Sequence, residues 1–396
     1  MLKPGEIWLR NNSHFHDIID DDSVISIVWS KSVYEDYIVM ADSFYSFAHE
    51  ITSMIAEDRY DNEKTDQWFF PAMFLYRQAI ELLCKGLILI HFTKKEAIVL
   101  LNRHMHNTYL FFTLFCDEAK VININDDERI WLKGYLQELE RLDGSSNLFR
   151  YPIKDGVLKE YDSRFLDVID IANGLEQCYA LLFACLPSKH NPKKYCEDID
   201  LTMDTRVVYF ASSGIGNCML YNSIWDEGYY SHIQGYSKCA LVLKESMPSN
   251  QWSLFTIAYL MRHAIELVLK NILHSRTEVC VNKSTIRGVR SSHSLYKKLW
   301  KNVRFMIEHY AKSMGEDLSQ IDLAGAYLEE LSKIDASGYK FRYPTNLDLI
   351  HDFDFERIDY NHATTWLMEI FNFLDGCSGI IDAAYDYECE MQSYGM

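Results

Sequence analysis

Seven prolines and 17 glycines in 396 residues are few. So small a supply of turn residues excludes a turn-rich β architecture and favours long helices. CxxC pairs are absent; the ten cysteines stand singly at 84, 116, 178, 185, 196, 218, 239, 280, 377 and 389. Zinc ribbons and thioredoxin-type redox sites are thereby unsupported, and scattered thiols in an apolar-rich chain read as reduced, buried cysteines of a cytoplasmic protein. GxGxxG, Walker, HExxH and GxSxG patterns are missing, and GIGNC at 214–218 is short and lacks the lysine of a phosphate loop. The opening MLKPGEIWLRNNSHFHDIIDDD has no apolar run of the signal-peptide kind. The apolar stretch FFPAMFLYRQAIELLCKGLILIHF at 69–92 is interrupted by Arg77, Glu81 and Lys85, so no membrane span is expected. Positive charge is also short: 39 Lys and Arg against 57 Asp and Glu leave a net −18. Such a chain is a poor non-specific binder of phosphate backbones, although a local basic pocket stays open.

What the sequence does have is apolar mass and repetition. Hydrophobic residues make up 48% and aromatics 14%, enough for a large core, and the length suits two ordinary domains. Compared with itself, the chain gives three collinear matches. FLYRQAIELLCKGLIL at 74–89 matches YLMRHAIELVLKNILH at 259–274. HNTYLFFTLF at 106–115 matches HSLYKKLWKN at 293–302. YLQELERLDGSSNLFRYP at 135–152 matches YLEELSKIDASGYKFRYP at 327–344. The offsets are 185, 187 and 192 residues, a drift that loop-length changes produce. The polar, proline-marked LPSKHNPKKYCED at 186–198 reads as the join. The expectation is therefore all-α: two tandem up-and-down helical bundles related by internal duplication and packed as a pseudo-dimer. The first unit spans 1–188 with an N-terminal extension, the linker 189–200, and the second unit 201–396. SVISIVWS at 23–30 and TRVVYFASS at 205–213 read as short strands preceding each unit.

Three polar features recur in both copies. Arg77, Glu81 and Lys85, and likewise Arg262, Glu266 and Lys270, stand four residues apart, so each trio falls on one stripe of an otherwise apolar helix. The stripe reads as a partly buried ion network. In FRYP, proline pushes the tyrosine before it into an extended conformation, which holds Arg150 and Arg342 between two aromatics. Asp143 and Asp335 precede those arginines by seven residues. One expectation pairs Arg150 with Glu81 and Arg342 with Glu266, since bidentate guanidinium–carboxylate geometry suits a buried pair. The alternative is that the arginines line a phosphate-binding cleft. His106 and His293 open the aromatic-rich helices; with no further ligand at metal spacing, no metal site is expected.

At RHAIELVLK, HSLYKKLW and IDASGYKFRYP the chain resembles the HEPN superfamily, helical proteins named for nucleotide binding in higher eukaryotes and prokaryotes. The likeness covers about 70–110, 130–185, 255–300 and 327–383. It implies paired four- or five-helix units and a bacterial toxin or antiphage defence effector that cuts RNA without a metal or cofactor. Active members carry an arginine, four to six residues, then a histidine. An imidazole would move a proton at the 2′-hydroxyl or leaving oxygen, and a guanidinium would stabilise the phosphorane. The second copy holds matches at Arg287–His293, Arg304–His309 and Arg357–His362. Copy one has Phe165 and Asp170 at the last pair, and Arg103 only three residues before His106.

Two readings follow. In the first, the protein is a defence-type effector or regulator that binds RNA or nucleotide and cleaves RNA. Its catalytic candidates are Arg287, His293, Arg357 and His362. Its binding residues would be Arg77, Glu81, Lys85, His106, Arg150, Arg262, Glu266, Lys270 and Arg342. In the second, it is an inert scaffold or sensor subunit that works through a protein partner or homo-oligomer, with the polar stripes as internal glue.

Overall fold

The structure, a computed structural model, describes residues 8–152, 164–187, 199–219, 229–275, 292–315 and 317–393. It is mostly helical, as the low proline and glycine content predicts. Two compact units emerge. The larger holds 28–248 and 342–352; the smaller holds 1–27, 249–341 and 353–396. These limits follow chain packing, whereas the expected 188/201 boundary follows repeated sequence, and most of the 189–200 linker lies outside the described residues.

In the larger unit, α1 (Val33–Glu57) packs along α2 (Phe69–His91), which is entered through a π turn at Lys64–Trp68. Every residue from Phe69 to Ile88 is buried. A helix apolar all round must lie inside the protein, and α2 does so by being surrounded by its neighbours. These include α4 (Thr108–Glu118) and α6 (Val168–Ala184). Start signals are local: Thr93 and Glu96 form a capping box on α3 (Lys94–His104), and Asn125 and Glu128 form one on α5 (Asp126–Asp143). Helix α7 (Tyr229–Ser246) crosses so close to the π turn that a Cβ at Gly235 would collide with the Gln67 carbonyl oxygen. A small antiparallel sheet joins Phe165–Leu166 to Phe210–Ala211 and Cys218–Met219.

In the smaller unit, α8 (Gln251–Ser275) takes the central place and packs on the terminal helix. Residues 253–270 are buried without interruption. Gln251–His274 is long and apolar enough to cross a membrane, but 94% of its most apolar window is buried inside the protein, as in any core helix. A π turn at Leu295–Trp300 leads into α9 (Lys301–Met314), which stops at Gly315 in a left-handed conformation. Helices α10 (Ser319–Ile334) and α11 (Tyr360–Ser393) complete the unit. Strand Val24–Ser26 pairs antiparallel with Arg357–Asp359, so both stretches expected to hold short strands do contain them. An N-terminal arm is tied down by Asp359, whose carboxylate accepts from the Ile19 and Asp20 backbone N–H groups and from the Ser23 hydroxyl.

Candidate functional site

The polar stripe of α2 is buried outright, not partly. Arg77 and Glu81 have no exposed side-chain surface and Lys85 only 5%. Charges at that depth persist only when paired. Glu81 is met by Lys85 at 2.7 Å, the Nδ1 atom of His106 at 3.1 Å and Arg77 at 3.3 Å. A fourth partner comes from far along the chain: the Tyr343 hydroxyl donates to Glu81 at 2.5 Å. Burial alone would raise the Glu81 pKa, but Lys85, His106 and Arg77 outweigh it and hold the group well below the usual carboxylate range. Arg77 also faces Asp143, Nε to Oδ2 3.6 Å, and donates to the His106 carbonyl at 2.9 Å. Burial pushes Asp143 up even though Arg77 pulls it down. The other Asp143 oxygen accepts from the backbone N–H groups of Asn147 and Leu148, at 2.7 and 2.8 Å. Arg77 therefore clamps three segments: its own helix, the turn that presents His106, and the loop after α5.

The smaller unit repeats this geometry around α8. Glu266 is met by Lys270 at 2.8 Å, the Nδ1 atom of His293 at 2.9 Å and Arg262 at 3.0 Å. Lys270, the hydrogen bond from His293 and Arg262 hold Glu266 well below the usual range against the raising effect of burial. Arg262 faces Asp335 at 3.2 Å and donates to the His293 carbonyl at 3.0 Å. Asp335 caps the N–H groups of Tyr339 and Lys340 at 2.9 and 3.2 Å. Gly338, immediately before Tyr339, has φ +76°, and a Cβ there would approach Arg262 Nη1 to 2.8 Å. Ser146, at the matching place in the larger unit, has φ +55°. Each network holds two cations and two carboxylates, so its fixed charges cancel.

The histidines are the parts that reach outward. The side chain of His106 is 22% exposed and that of His293 42%. An ionised carboxylate only accepts hydrogen bonds, so Nδ1 carries the hydrogen in both rings. When such a ring is neutral, Nε2 is the basic atom. A carboxylate-oriented imidazole of this kind is suited to proton transfer.

Arg150 is not among the groups that meet Glu81, against the expectation. Glu81 is filled by Lys85, His106, Arg77 and Tyr343, which leaves Arg150 no place on it. Arg150 instead donates to the Tyr151 hydroxyl at 3.2 Å and lies 5.8 Å from the Phe74 ring centroid. Arg342 belongs to the larger unit and Glu266 to the smaller. Its backbone carbonyl accepts from Gln78 at 3.1 Å, and its guanidinium lies 5.4 Å from the Tyr343 ring centroid. Lys85 sits 4.1 Å over that same ring.

Of the arginine–histidine pairs, Arg287 lies outside the described residues. Arg357 faces solvent from its strand, while His362 is buried with its ring against the His14 carbonyl at 2.8 Å and Arg10 at 3.4 Å. Arg304 is engaged by Glu308 and Asp322, both at 2.6 Å. Among the described residues, no group of three or more His, Cys, Asp or Glu is gathered as a metal site. Sequence reasoning missed Tyr343, because nothing in its spacing links it to Glu81. It noted Asp143 and Asp335 only by their distance from FRYP, and the signal for their role was their place at the end of a helix before a tight loop. No protein-family model, curated protein or solved structure matches the chain.

Proposed function

We propose that this protein is a duplicated HEPN-like helical protein that acts as a scaffold or sensor subunit through protein contacts, with its two polar stripes serving as internal glue. The observation that carries this reading is the burial of both stripes with their charges mutually cancelled. Guanidinium groups sealed onto carboxylates are not available to a phosphate chain, and the net charge of −18 repels one. Duplication is supported by five residue types, Arg, Glu, Lys, His and Asp, recurring in one arrangement at offsets of 185 to 192 residues.

One observation favours a second reading, a defence or toxin-type effector that binds RNA or nucleotide and cleaves RNA without metal. His293 is 42% exposed and its Nδ1 is fixed on Glu266. Its Nε2 would take the proton from a 2′-hydroxyl as that oxygen attacks the neighbouring phosphorus and the P–O5′ bond breaks, the 5′-oxygen leaving with a proton from solvent water. The deciding experiment is incubation of RNA with purified protein in chelator, comparing wild type with His293→Ala and His106→Ala. The scaffold reading expects no cleavage by any of them. Cleavage by wild type that is lost in a folded His293→Ala protein would replace it with the nuclease reading.

A further inference from the structure

The N-terminal arm of the smaller unit is held the way a bound peptide is held. Its backbone is gripped by side chains 315 to 353 residues away along the chain. The Tyr327 hydroxyl accepts from the Arg10 N–H at 3.2 Å and Glu330 from the Phe15 N–H at 2.8 Å. Asp359 accepts from the N–H groups of Ile19 and Asp20 at 3.0 and 2.8 Å. In the other sense, the Trp366 indole N–H donates to the Ser13 carbonyl at 3.1 Å, and His362 Nε2 to the His14 carbonyl at 2.8 Å. Strand Val24–Ser26 then adds to Arg357–Asp359, the mode by which a sheet edge takes an extended segment. Two side chains anchor the arm. Phe15 is fully buried among Phe341, Phe355 and Trp366, with ring centroids 5.8 to 6.3 Å away. Arg10 meets Glu369 at 2.5 Å, and Glu369 is only 2% exposed, so its carboxylate needs a cation beside it.

Chain order sets this contact apart. The arm packs on elements that begin at 249, yet in sequence it runs directly into α1 of the larger unit. Residues 28–32 alone connect its strand and Ile27 to that helix. The connection is constrained as well as short, since the Asp36 carboxylate accepts from the Ser30 N–H at 3.0 Å. A segment docked far from itself in sequence, next to a short and constrained connection, is the arrangement that favours exchange of that segment between copies. The groove reads a backbone and two anchors, and a second copy offers the identical backbone and anchors. Each arm–groove contact is remade between chains. Exchange therefore gives up only the effective concentration of an intramolecular partner.

We propose that the groove of α10 and α11 receives the arm of a second copy of this chain, giving a reciprocal arm-exchanged dimer. Arg10 of each chain then lies on the partner subunit's Glu369, and each Phe15 fills the partner's aromatic pocket. This rests on the reading that the protein acts through protein contacts, and it names the partner as the chain itself.

Ser26 and Arg357 are exposed and directly opposed in the strand pair. Residues so placed lie about 4.5–5.5 Å apart at Cα, within disulfide reach. The test refolds the full chain carrying Ser26→Cys and Arg357→Cys from urea, as an equal mixture of isotope-labelled and unlabelled chains. Refolding at low and at high concentration is followed by oxidation and mass spectrometry, and wild type treated alike controls for the native thiols. Dilute refolding is expected to place the 26–357 disulfide within one chain. Concentrated refolding is expected to place it between a labelled and an unlabelled chain, in a species of twice the chain mass. A 26–357 disulfide that stays within one chain at both concentrations overturns the proposal.

A second measurement uses charge. Arg10→Glu and Glu369→Arg each set like charges together within one chain, whereas exchange between the two variants gives both grooves an opposite pair. Refolded together, they should form a one-to-one dimer by light scattering that melts above either variant alone. Folded variants that stay monomeric on mixing overturn the proposal, and the disulfide variant, altered only at exposed positions, decides if either fails to fold. RNA cleavage by wild type would remove the scaffold reading and leave both exchange readouts as they are. Failure of exchange would leave the cleavage result as it is, so the two fail separately.

Discussion

Tyr343 donates its hydroxyl to Glu81 across 262 residues of chain, at 2.5 Å. The segment 342–352 is thus stitched into the larger unit at a buried charge. A second stitch follows two residues later, where Thr345 meets the Tyr37 hydroxyl at 3.2 Å, and a third where His351 meets Asp36 at 2.9 Å. Tyr343→Phe keeps the ring under Lys85 and removes only the hydroxyl. A hydrogen bond to a charged group contributes about 1.5–3 kcal/mol, so a loss of that size is expected. Urea unfolding monitored by fluorescence measures it. An unchanged midpoint would mean the hydroxyl is not seated on Glu81 in solution.

How much of this was legible in the sequence depends on the range of the interaction. The Arg–Glu–Lys stripes were readable because i, i+4 spacing fixes which residues share a helix face, and apolar neighbours marked the helix as internal. The histidines were readable as paired features of helix starts. The error over Arg150 and Glu81 came from assigning charge to charge. Lys85 and His106 are closer along the fold and fill the carboxylate first, with a phenol from elsewhere completing it. Tyr343 carries no charge and no periodic spacing, so its contact is set by tertiary packing alone. Arg357 and His362 matched a motif by count, but a strand turns Arg357 outward while the helix start buries His362.

The loop after α10 depends on a backbone conformation that only glycine adopts freely. Gly338→Ala places a Cβ at φ +76° and 2.8 Å from Arg262 Nη1. A left-handed conformation alone costs a non-glycine residue about 1–2 kcal/mol, and displacement of the arginine adds to it. The reciprocal change, Ser146→Gly at φ +55°, relieves strain and is expected to be neutral to mildly stabilising. Thermal melts of the two variants should move in different senses. Equal destabilisation by both would contradict the matched loop geometry.

Stability should depend on pH at two separate places. His14 is raised above its ordinary 6.5 chiefly by its hydrogen bond to Glu330, and His49 by its hydrogen bond to Glu176. Folding therefore favours their protonated forms. Their contribution is full below pH 6.5 and fades as pH rises through the raised folded values. His14→Gln and His49→Gln should flatten the stability profile from 6.5 upward. Glu81 and Glu266 behave oppositely, because their cations and histidines hold them well below 4.5. Their contribution is present above pH 4.5 and disappears as pH falls toward the depressed folded values. Glu81→Gln should therefore lose stability at neutral pH and show a shallower acid limb. Denaturation midpoints across a pH series read both effects. A rise in stability from pH 6.5 to 8 in wild type would refute the histidine assignment.

If the stripes are internal glue, they should be replaceable by hydrocarbon. Removing one partner of a buried ion pair strands the other, which costs about 3–5 kcal/mol. Glu266→Leu alone leaves Arg262 and Lys270 facing each other in the core, so that variant should be severely destabilised. Replacing the trio together, Arg262→Met, Glu266→Leu and Lys270→Met, removes the stranded charges with the pairing. Asp335 then loses Arg262, though it keeps two backbone donors. Neighbours in one network are not additive, and the triple variant should recover much of what Glu266→Leu loses. Calorimetry of single and triple variants gives that coupling. Recovery of the fold with RNA cleavage absent throughout is the outcome expected of a structural network. A triple variant that folds but loses an activity wild type possesses would show that the stripe acts on a substrate, since its packing would have been restored without it.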